Sequence, residues 1–113
     1  MNNKRKYQIH IITPPDENGI ASVKVKFLDK PLTLEENQRI VGGNIELVKG
    51  LYKGRSCDIL INEEGLNIGL PYNSIATEYH KDLYRGWKEY DQEQIEGLGL
   101  VGVAILMVDH DLK

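Results

Sequence analysis

The sequence contains a single cysteine, Cys57, among its 113 residues. A disulfide within the chain is therefore impossible, and a reducing compartment such as the cytoplasm is the simpler assumption. Cys57 lies in an apolar stretch, where a cysteine usually behaves as a small buried hydrophobe. Because no neighbouring group in the sequence would activate the thiol, we interpret Cys57 as a core residue and not as a nucleophile.

Long hydrophobic runs are also missing. The longest apolar stretch covers residues 98–108, well short of the roughly 20 residues that a membrane-spanning helix needs. The basic residues near the N-terminus are not followed by the apolar stretch of a signal peptide. We therefore expect a protein that does not insert into membranes and that acts in the cytoplasm.

The chain has no excess of positive charge, since its formal net charge at pH 7 is −3. Proteins that bind nucleic acids without sequence preference carry basic residues that neutralise phosphate groups. General nucleic-acid binding is therefore not expected. The acidic excess is also too small for a protein that imitates DNA through its own negative charge.

The sequence offers no motif for metal binding or catalysis. No histidine has a second histidine or a cysteine at the spacing typical of metal ligands; the histidines are His10, His80 and His110. The carboxylates of Asp58, Glu63 and Glu64 are better interpreted as solvated groups near a turn than as an acid–base cluster. We therefore expect no metal, no cofactor and no enzymatic activity.

Alternation of apolar and polar residues indicates about five β-strands. The first two are separated by a segment dense in turn residues, which favours an antiparallel hairpin. The last stretch is apolar on both sides, which is typical of a central strand covered on two faces. The predicted strands cover residues 7–13, 21–28, 44–49, 57–62 and 97–108.

Capping signals indicate two helices. Thr33 and Glu36 form a capping-box pattern at the start of a helix over residues 34–41. Asn73 or Ser74 begins a second helix, which ends near Gly86. Together the elements predict one α+β domain over the whole chain, with a small, mostly antiparallel sheet of about five strands and two short helices on one face.

Gly42 and Gly43 stand between the first helix and the third strand. Two adjacent glycines usually mark a backbone conformation that other residues cannot adopt. The order of helix followed by strand is the reverse of a phosphate-binding loop. We therefore interpret the pair first as a helix C-cap, and only second as one wall of a binding site.

A binding site is expected around Pro71, Tyr72 and Asn73. A proline followed by a capping asparagine defines a helix N-terminus, whose free N–H groups favour an anion. Tyr72 is suited to stacking on a base, and Lys53 or Arg55 to supplying positive charge. The alternative is a well-made helix start with Tyr72 packed on the sheet. The predicted ligand-binding residues are Gly42, Gly43, Asn44, Arg55, Pro71, Tyr72 and Asn73.

Two separated segments carry the pattern of a known family. Residues 40–46 resemble the IVGGxIE signature of the DUF3846 family, and residues 62–73 resemble its NEEGkxxGLPxN stretch. The helix start at residues 75–77 and the segment at residues 95–97 also fit that pattern. The order and the spacing of these segments agree with the family.

The resemblance covers about residues 34–108, and the first thirty residues add little to it. The chain has Asn44 where the family pattern has an aromatic residue, and it carries a polar insert at residues 88–94. The resemblance implies a small protein of a bacteriophage or mobile element, acting in a bacterial host cell. No activity is assigned to the family, so no catalytic residue can be carried over.

Two hypotheses about function follow. The first is a non-enzymatic accessory protein that binds a small anionic or nucleotide-like ligand, for example to sequester a host nucleotide signal in counter-defence. The second is a protein-binding module that inhibits or adapts a host enzyme through its sheet edge or its tyrosines. Because tyrosines suit interfaces, we also expect a homo-oligomer; the residues concerned are Tyr52, Tyr72, Tyr84 and Tyr90.

Overall fold

A computed structural model describes residues 7–108 of the chain. These residues form five strands and three helices. In chain order they are β1 (Tyr7–Thr13), β2 (Ser22–Leu28), α1 (Leu34–Val41), β3 (Ile45–Tyr52), β4 (Arg55–Asn62), α2 (Ser74–Arg85), α3 (Gln92–Glu96) and β5 (Ala104–Val108).

The five strands form one sheet in the order β2-β1-β5-β4-β3. Every neighbouring pair is antiparallel. The last strand of the sequence therefore lies in the middle of the sheet, between β1 and β4, where its apolar residues are covered on both sides. The predicted α+β fold with a five-stranded antiparallel sheet is confirmed.

The two longer helices cover opposite faces of this sheet. Successive side chains of a strand point to opposite faces, and in β4 Ile59 packs in the same cluster as Ala76 of α2. Its neighbour Leu60 packs in a second cluster with Val41 of α1. We call these the α2 face and the α1 face. The expectation that both helices lie on one face is corrected, because the central strands are apolar on both sides and each side needs a cover.

Both predicted helix starts and stops are confirmed. The Thr33 side chain accepts from the Glu36 N–H, and the Glu36 side chain accepts from the Thr33 N–H, which completes the capping box. Gly42 ends α1 in the left-handed conformation, with φ 85°. Asn73 caps α2, and Gly86 ends it. No helix within the described residues is long and apolar enough to cross a membrane.

Three local assignments differ from the sequence-based expectation. Residues 97–103 are not strand, because the segment instead turns at Gly102, where φ is 79°. The strands β3 and β4 are longer than expected and are joined by only Lys53 and Gly54, both at positive φ, as in a tight hairpin turn. The short helix α3 was not expected.

The backbone of α2 approaches β3 closely at Gly50. A Cβ added to Gly50 would lie 2.6 Å from Ile59 Cδ1 and 3.0 Å from the carbonyl oxygen of Tyr79 in α2. The next residue of the helix, His80, donates through Nδ1 to the Lys49 carbonyl oxygen at 2.6 Å. Helix α2 therefore packs on strand β3 at a distance that only glycine at position 50 permits.

We predict that Gly50→Ala lowers the free energy of unfolding by about 1–3 kcal/mol, because the new methyl group forces helix and strand apart. Gly86→Ala is the matched control: a Cβ there meets nothing within 4 Å, so a change below about 0.5 kcal/mol is expected. Urea unfolding measures both variants. Equal stability of the two variants would contradict the close approach.

Candidate functional site

The predicted ligand-binding residues are divided between the two ends of the sheet. At one end β3 begins and β4 finishes, with Ile45 paired to Asn62; we call this the glycine end. At the other end Tyr52 pairs with Arg55 on either side of the hairpin turn; we call this the hairpin end. All the predicted residues except Arg55 belong to the glycine end, so each end is considered separately.

At the glycine end, Gly42 and Gly43 use their own N–H groups in closing α1. Both donate to the Gln38 carbonyl oxygen, at 2.8 and 3.0 Å. A Cβ added to Gly43 would lie 3.0 Å from Nδ2 in the side chain of Asn62. The Asn62 side chain is buried and donates to the Val41 carbonyl oxygen at 3.2 Å. The double glycine therefore allows Asn62 to pack against the helix end, which is a structural role.

Asn44 and Pro71 are also engaged by their neighbours. The Asn44 carbonyl oxygen accepts from the Glu63 N–H at 2.8 Å, and its side-chain oxygen accepts from Gln38 Nε2 at 3.3 Å. The Pro71 carbonyl oxygen accepts from the Gly102 N–H at 2.8 Å. These contacts join the glycine end of the sheet to the loops around it.

Asn73 has no exposed surface and directs both side-chain groups inward. Its oxygen accepts from the Ala76 N–H at 3.0 Å, which caps α2. Its Nδ2 group donates to the carbonyl oxygens of Ile12, at 3.0 Å, and Gly102, at 2.8 Å. Asn73 therefore has no side-chain hydrogen-bonding group left for a ligand.

Tyr72 is the one member of the predicted group at this end with a large exposed side chain, half of which is accessible. Its backbone bridges to Val101. Its ring lies so close to Gly99 that an added Cβ would be 3.3 Å from Tyr72 Cε1. The helix start is well made, as the alternative interpretation expected. The Tyr72 ring, however, is half exposed and lies against Gly99, which is outside the strands.

Arg55 lies at the hairpin end, away from the other predicted residues. It begins β4, whereas Asn62 ends the same eight-residue strand. A strand rises by about 3.3 Å per residue, so the two ends are separated by about 20 Å. Arg55 cannot supply charge to a ligand at Tyr72, and the expectation that these residues form one site is corrected. Residues 52–56 lie between the strands predicted at 44–49 and 57–62, so Arg55 had no predicted position on the sheet.

A cavity of about 340 Å³ opens beside Arg55 at the hairpin end. Three strands supply its floor on the α2 face, because Gln8 of β1 pairs with Val108 of β5 and Cys57 of β4 lies beside them. The hairpin turn supplies its wall. We call this space the hairpin cavity, and it is lined by Gln8, Tyr52, Lys53, Arg55, Ser56, Cys57 and Val108.

Tyr52 separates the hairpin cavity from helix α2. Its ring makes an edge contact with His10, with centroids 5.0 Å apart, and a tilted contact with Tyr79 at 5.6 Å. The ammonium of Lys53 lies 5.5 Å from the centroid of the same ring, within the range of a cation–π interaction. These contacts hold the aromatic wall and one positive charge in place.

The hairpin cavity is positively charged. Lys53 and Arg55 both line it, and no carboxylate is among the described residues that do so. Neither cation forms an ion pair within residues 7–108. By contrast, Lys49 on the opposite face is paired with Asp58 at 2.6 Å. An anion in the hairpin cavity would therefore meet two cations for which no carboxylate of residues 7–108 competes.

Cys57 on the floor and His10 next to it are titratable groups whose pKa values are shifted towards their neutral forms. Burial raises the pKa of the Cys57 thiol to about 11, and the carboxylate of Asp58 adds to the increase, so the thiol is protonated and is not a nucleophile. Burial and the positive charge of Lys53 lower the pKa of His10 from its usual value. Gln8 Nε2 donates to the neutral His10 ring at 3.1 Å.

No cluster of three histidine, cysteine or acidic side chains occurs within residues 7–108. His10 and His80 are both buried and lie on different elements, a strand and a helix. His110 lies outside the described residues.

Gln8, Tyr52 and Val108 line the hairpin cavity but were not predicted as ligand-binding residues. The signal that would have found them is the pair Lys53-Gly54, which is compatible with a two-residue hairpin turn. With that turn in place, the alternation of the strands puts Tyr52 and Arg55 opposite one another on one face. The positions of Gln8 and Val108 depend on the strand order, which no local pattern reveals.

A family model described as "Domain of unknown function (DUF3846)" matches residues 10–102. The match covers more than half of the chain, so the chain belongs to the DUF3846 family. It begins in β1, well before the segment in which the resemblance was recognised, and it therefore includes the hairpin of β1 and β2. The chain matches no curated protein and no solved structure.

We predict that Asn73→Ala lowers the free energy of unfolding by about 3 kcal/mol. The substitution removes the α2 cap, worth about 1 kcal/mol, and leaves two buried carbonyl oxygens without their donor, at a similar cost for each. The control is Asn67→Ala, because Asn67 is exposed and its side chain bonds only to Glu64 among the described residues. Urea unfolding compares the two. An Asn73→Ala protein as stable as the Asn67→Ala control would show that Asn73 does not close the fold.

Proposed function

We propose that this member of the DUF3846 family binds a small anionic, nucleotide-like ligand in the hairpin cavity and does so without catalysing a reaction. The observation that carries the proposal is the pair Lys53 and Arg55, which line a cavity of about 340 Å³ with no carboxylate partner among the described residues. Ligand pockets for small molecules typically measure about 300–1,000 Å³. The cavity is therefore of a size that suits a mononucleotide better than a protein segment.

The two cations favour a phosphate or a similar anion. A guanidinium offers paired donors that match two oxygens of a phosphate, and an ammonium adds a compact positive charge. Lys53 is the first residue of the two-residue turn, and Arg55 is the residue that directly follows the turn. Their spacing on a rigid hairpin allows both to contact one anionic group.

The remaining lining favours a ring beside the anion. Tyr52 supplies an aromatic wall, and Val108 and Cys57 supply an apolar floor. The Gln8 side-chain oxygen makes no hydrogen bond within residues 7–108 and is available to accept one from an amino group. Aromatic surface, a few placed polar groups and positive charge together are the features that nucleotide sites combine.

A role that requires binding alone agrees with this chemistry. The Cys57 thiol on the floor is protonated and is not in a form that attacks a phosphate. Next to the floor, His10 Nε2 already accepts a hydrogen bond from Gln8 Nε2. The resemblance implies a phage or mobile-element protein, so sequestration of a host nucleotide signal in the bacterial cytoplasm is the use we propose. Removing such a signal from solution would counter a host defence without consuming the ligand.

The alternative is a protein-binding module that inhibits or adapts a host enzyme. One observation favours it: β2 is exposed along its length, with apolar and basic residues in separate rows. That surface lies outside the hairpin cavity. Ligand binding and protein binding are therefore separable, and each has its own test.

We predict that AMP, ADP, ATP or cyclic AMP raises the melting temperature of the protein and that adenosine does not. A ligand at about 100 times its Kd adds about 2.7 kcal/mol of stability, which corresponds to a rise on the order of 10 °C. The paired variant Lys53→Asn with Arg55→Gln removes both charges, and asparagine tolerates the positive φ at position 53. We expect its affinity, measured by calorimetry, to fall at least about tenfold, which corresponds to about 1.4 kcal/mol.

The matched control is Lys81→Gln with Lys88→Gln, which removes two positive charges away from the hairpin cavity. It should bind as the unaltered protein does. Three results would contradict the proposal: no stabilisation by any of the four nucleotides, equal binding of adenosine and AMP, or equal loss of binding in both paired variants. Inorganic phosphate, tested alongside, shows how much of the affinity belongs to the anion alone.

A further inference from the structure

The outer edge of β2 is open. β2 is the first strand in the sheet order and pairs only with β1 among the described residues. Residues 22–27 are all exposed. The backbone groups that face away from β1 are therefore unpaired within residues 7–108, and an edge of this kind is a template for a further strand.

The α2 face of this edge carries a row of exposed apolar side chains. Phe27 is 61% exposed, Val25 44% and Val23 43%. They alternate along the strand and lie on one face, opposite Gln8, His10 and Ile12 of β1. Helix α2 packs over β3 and β4 and does not cover them. A strand added beside β2 could bury this row with apolar residues of its own.

The α1 face of the same edge carries Lys24 and Lys26. Both are exposed, and neither forms an ion pair within residues 7–108. Side chains directly opposite one another in an antiparallel pair are about 4.5–5.5 Å apart, and opposite charges there are stabilising while like charges are destabilising. The two lysines therefore select for acidic residues at the facing positions.

A second copy of the chain does not meet this condition. If β2 paired antiparallel with β2 of a second copy about a two-fold axis, residues of the α1 face would lie opposite residues of the α1 face. If this pairing is centred on position 25, Lys24 lies opposite the partner's lysine at position 26; if it is centred on 24 or 26, a lysine faces its own equivalent. The charge pattern disfavours self-pairing, which is a common protection of natural edge strands.

We propose that the outer edge of β2 binds an extended segment of another protein in which apolar and acidic residues alternate. The segment adds a sixth strand to the sheet, antiparallel to β2. Its apolar side chains cover Val23, Val25 and Phe27, and its carboxylates face Lys24 and Lys26. Main-chain hydrogen bonds supply affinity, and the alternating pattern supplies specificity, as in other cases of strand addition.

The test uses three fluorescein-labelled peptides with the full chain, measured by fluorescence anisotropy at low salt. Their sequences are Thr-Val-Glu-Val-Glu-Val-Thr, the same peptide with Lys in place of both Glu residues, and the first peptide with Pro in place of the central Val. We expect the Glu peptide to bind at least about tenfold more tightly than the Lys peptide, because two facing pairs change from attraction to repulsion. The Pro peptide lacks a main-chain donor and should bind much more weakly.

Charge reversal gives the sharpest version of the test. In the variant Lys24→Glu with Lys26→Glu, the preference should invert, so that the Lys peptide binds more tightly than the Glu peptide. The control variant Lys81→Glu with Lys88→Glu has the same net charge and should keep the original preference. Inversion in the first variant and not in the control supports the proposal.

Four outcomes would overturn it. They are no binding of the Glu peptide, equal binding of the Glu and Lys peptides, equal binding of the Pro and Glu peptides, or a dimer of the unaltered protein that the Val25→Pro substitution dissociates. The comparison of peptides on the unaltered protein decides the question even where a variant fails to fold. The variant Lys53→Asn with Arg55→Gln should bind the Glu peptide normally, so the result is independent of ligand binding in the hairpin cavity.

Discussion

The side-chain amide of Asn73 connects three segments that are far apart in the sequence. It caps α2, and it donates to the end of β1 at Ile12 and to Gly102 just before β5. Thr77, one turn later, adds a second link, because its hydroxyl oxygen accepts from the Leu100 N–H at 2.9 Å. The amide is fully buried, so losing it would leave buried carbonyl oxygens without a donor. The position of α2 over the sheet and the entry of the central strand both depend on this group.

The two ends of the sheet differ in whether the chain itself supplies partners for their polar groups. At the glycine end the N–H groups of Gly42 and Gly43 and the side chains of Asn62 and Asn73 are satisfied by the chain itself. At the hairpin end two cations face a cavity without carboxylate partners among the described residues. Satisfied groups hold a fold together, whereas unsatisfied charges on a rigid turn are available to a ligand. The separation leaves the hairpin end free to vary without disturbing the closure of the core.

Local patterns in the sequence were sufficient for the boundaries of α1 and α2 and for the number of strands. Thr33, Gly42, Asn73 and Gly86 each act through neighbours within a few residues, and each was predicted in the role that it has. The hairpin cavity was not predictable in this way, because Gln8, Arg55 and Val108 meet only through the strand order β2-β1-β5-β4-β3. The expectation that both helices lie on one face failed for the same reason, because the α1 and α2 faces are defined only once the sheet is assembled. Asn73 shows another limit of prediction from the sequence. A capping residue and an anion-binding residue have the same sequence pattern, and only the burial of the side chain distinguishes them.

The central claim is that the hairpin end binds the ligand and the glycine end does not. The most direct measurement is a titration of the ¹⁵N-labelled protein with AMP, followed by the movement of amide signals in NMR spectra. The account predicts that the signals of residues 52–57, together with those of Gln8 and Val108, move with a single dissociation constant. It also predicts that those of Gly42, Gly43, Tyr72 and Asn73 stay in place. Saturable movement confined to the glycine end would contradict the account.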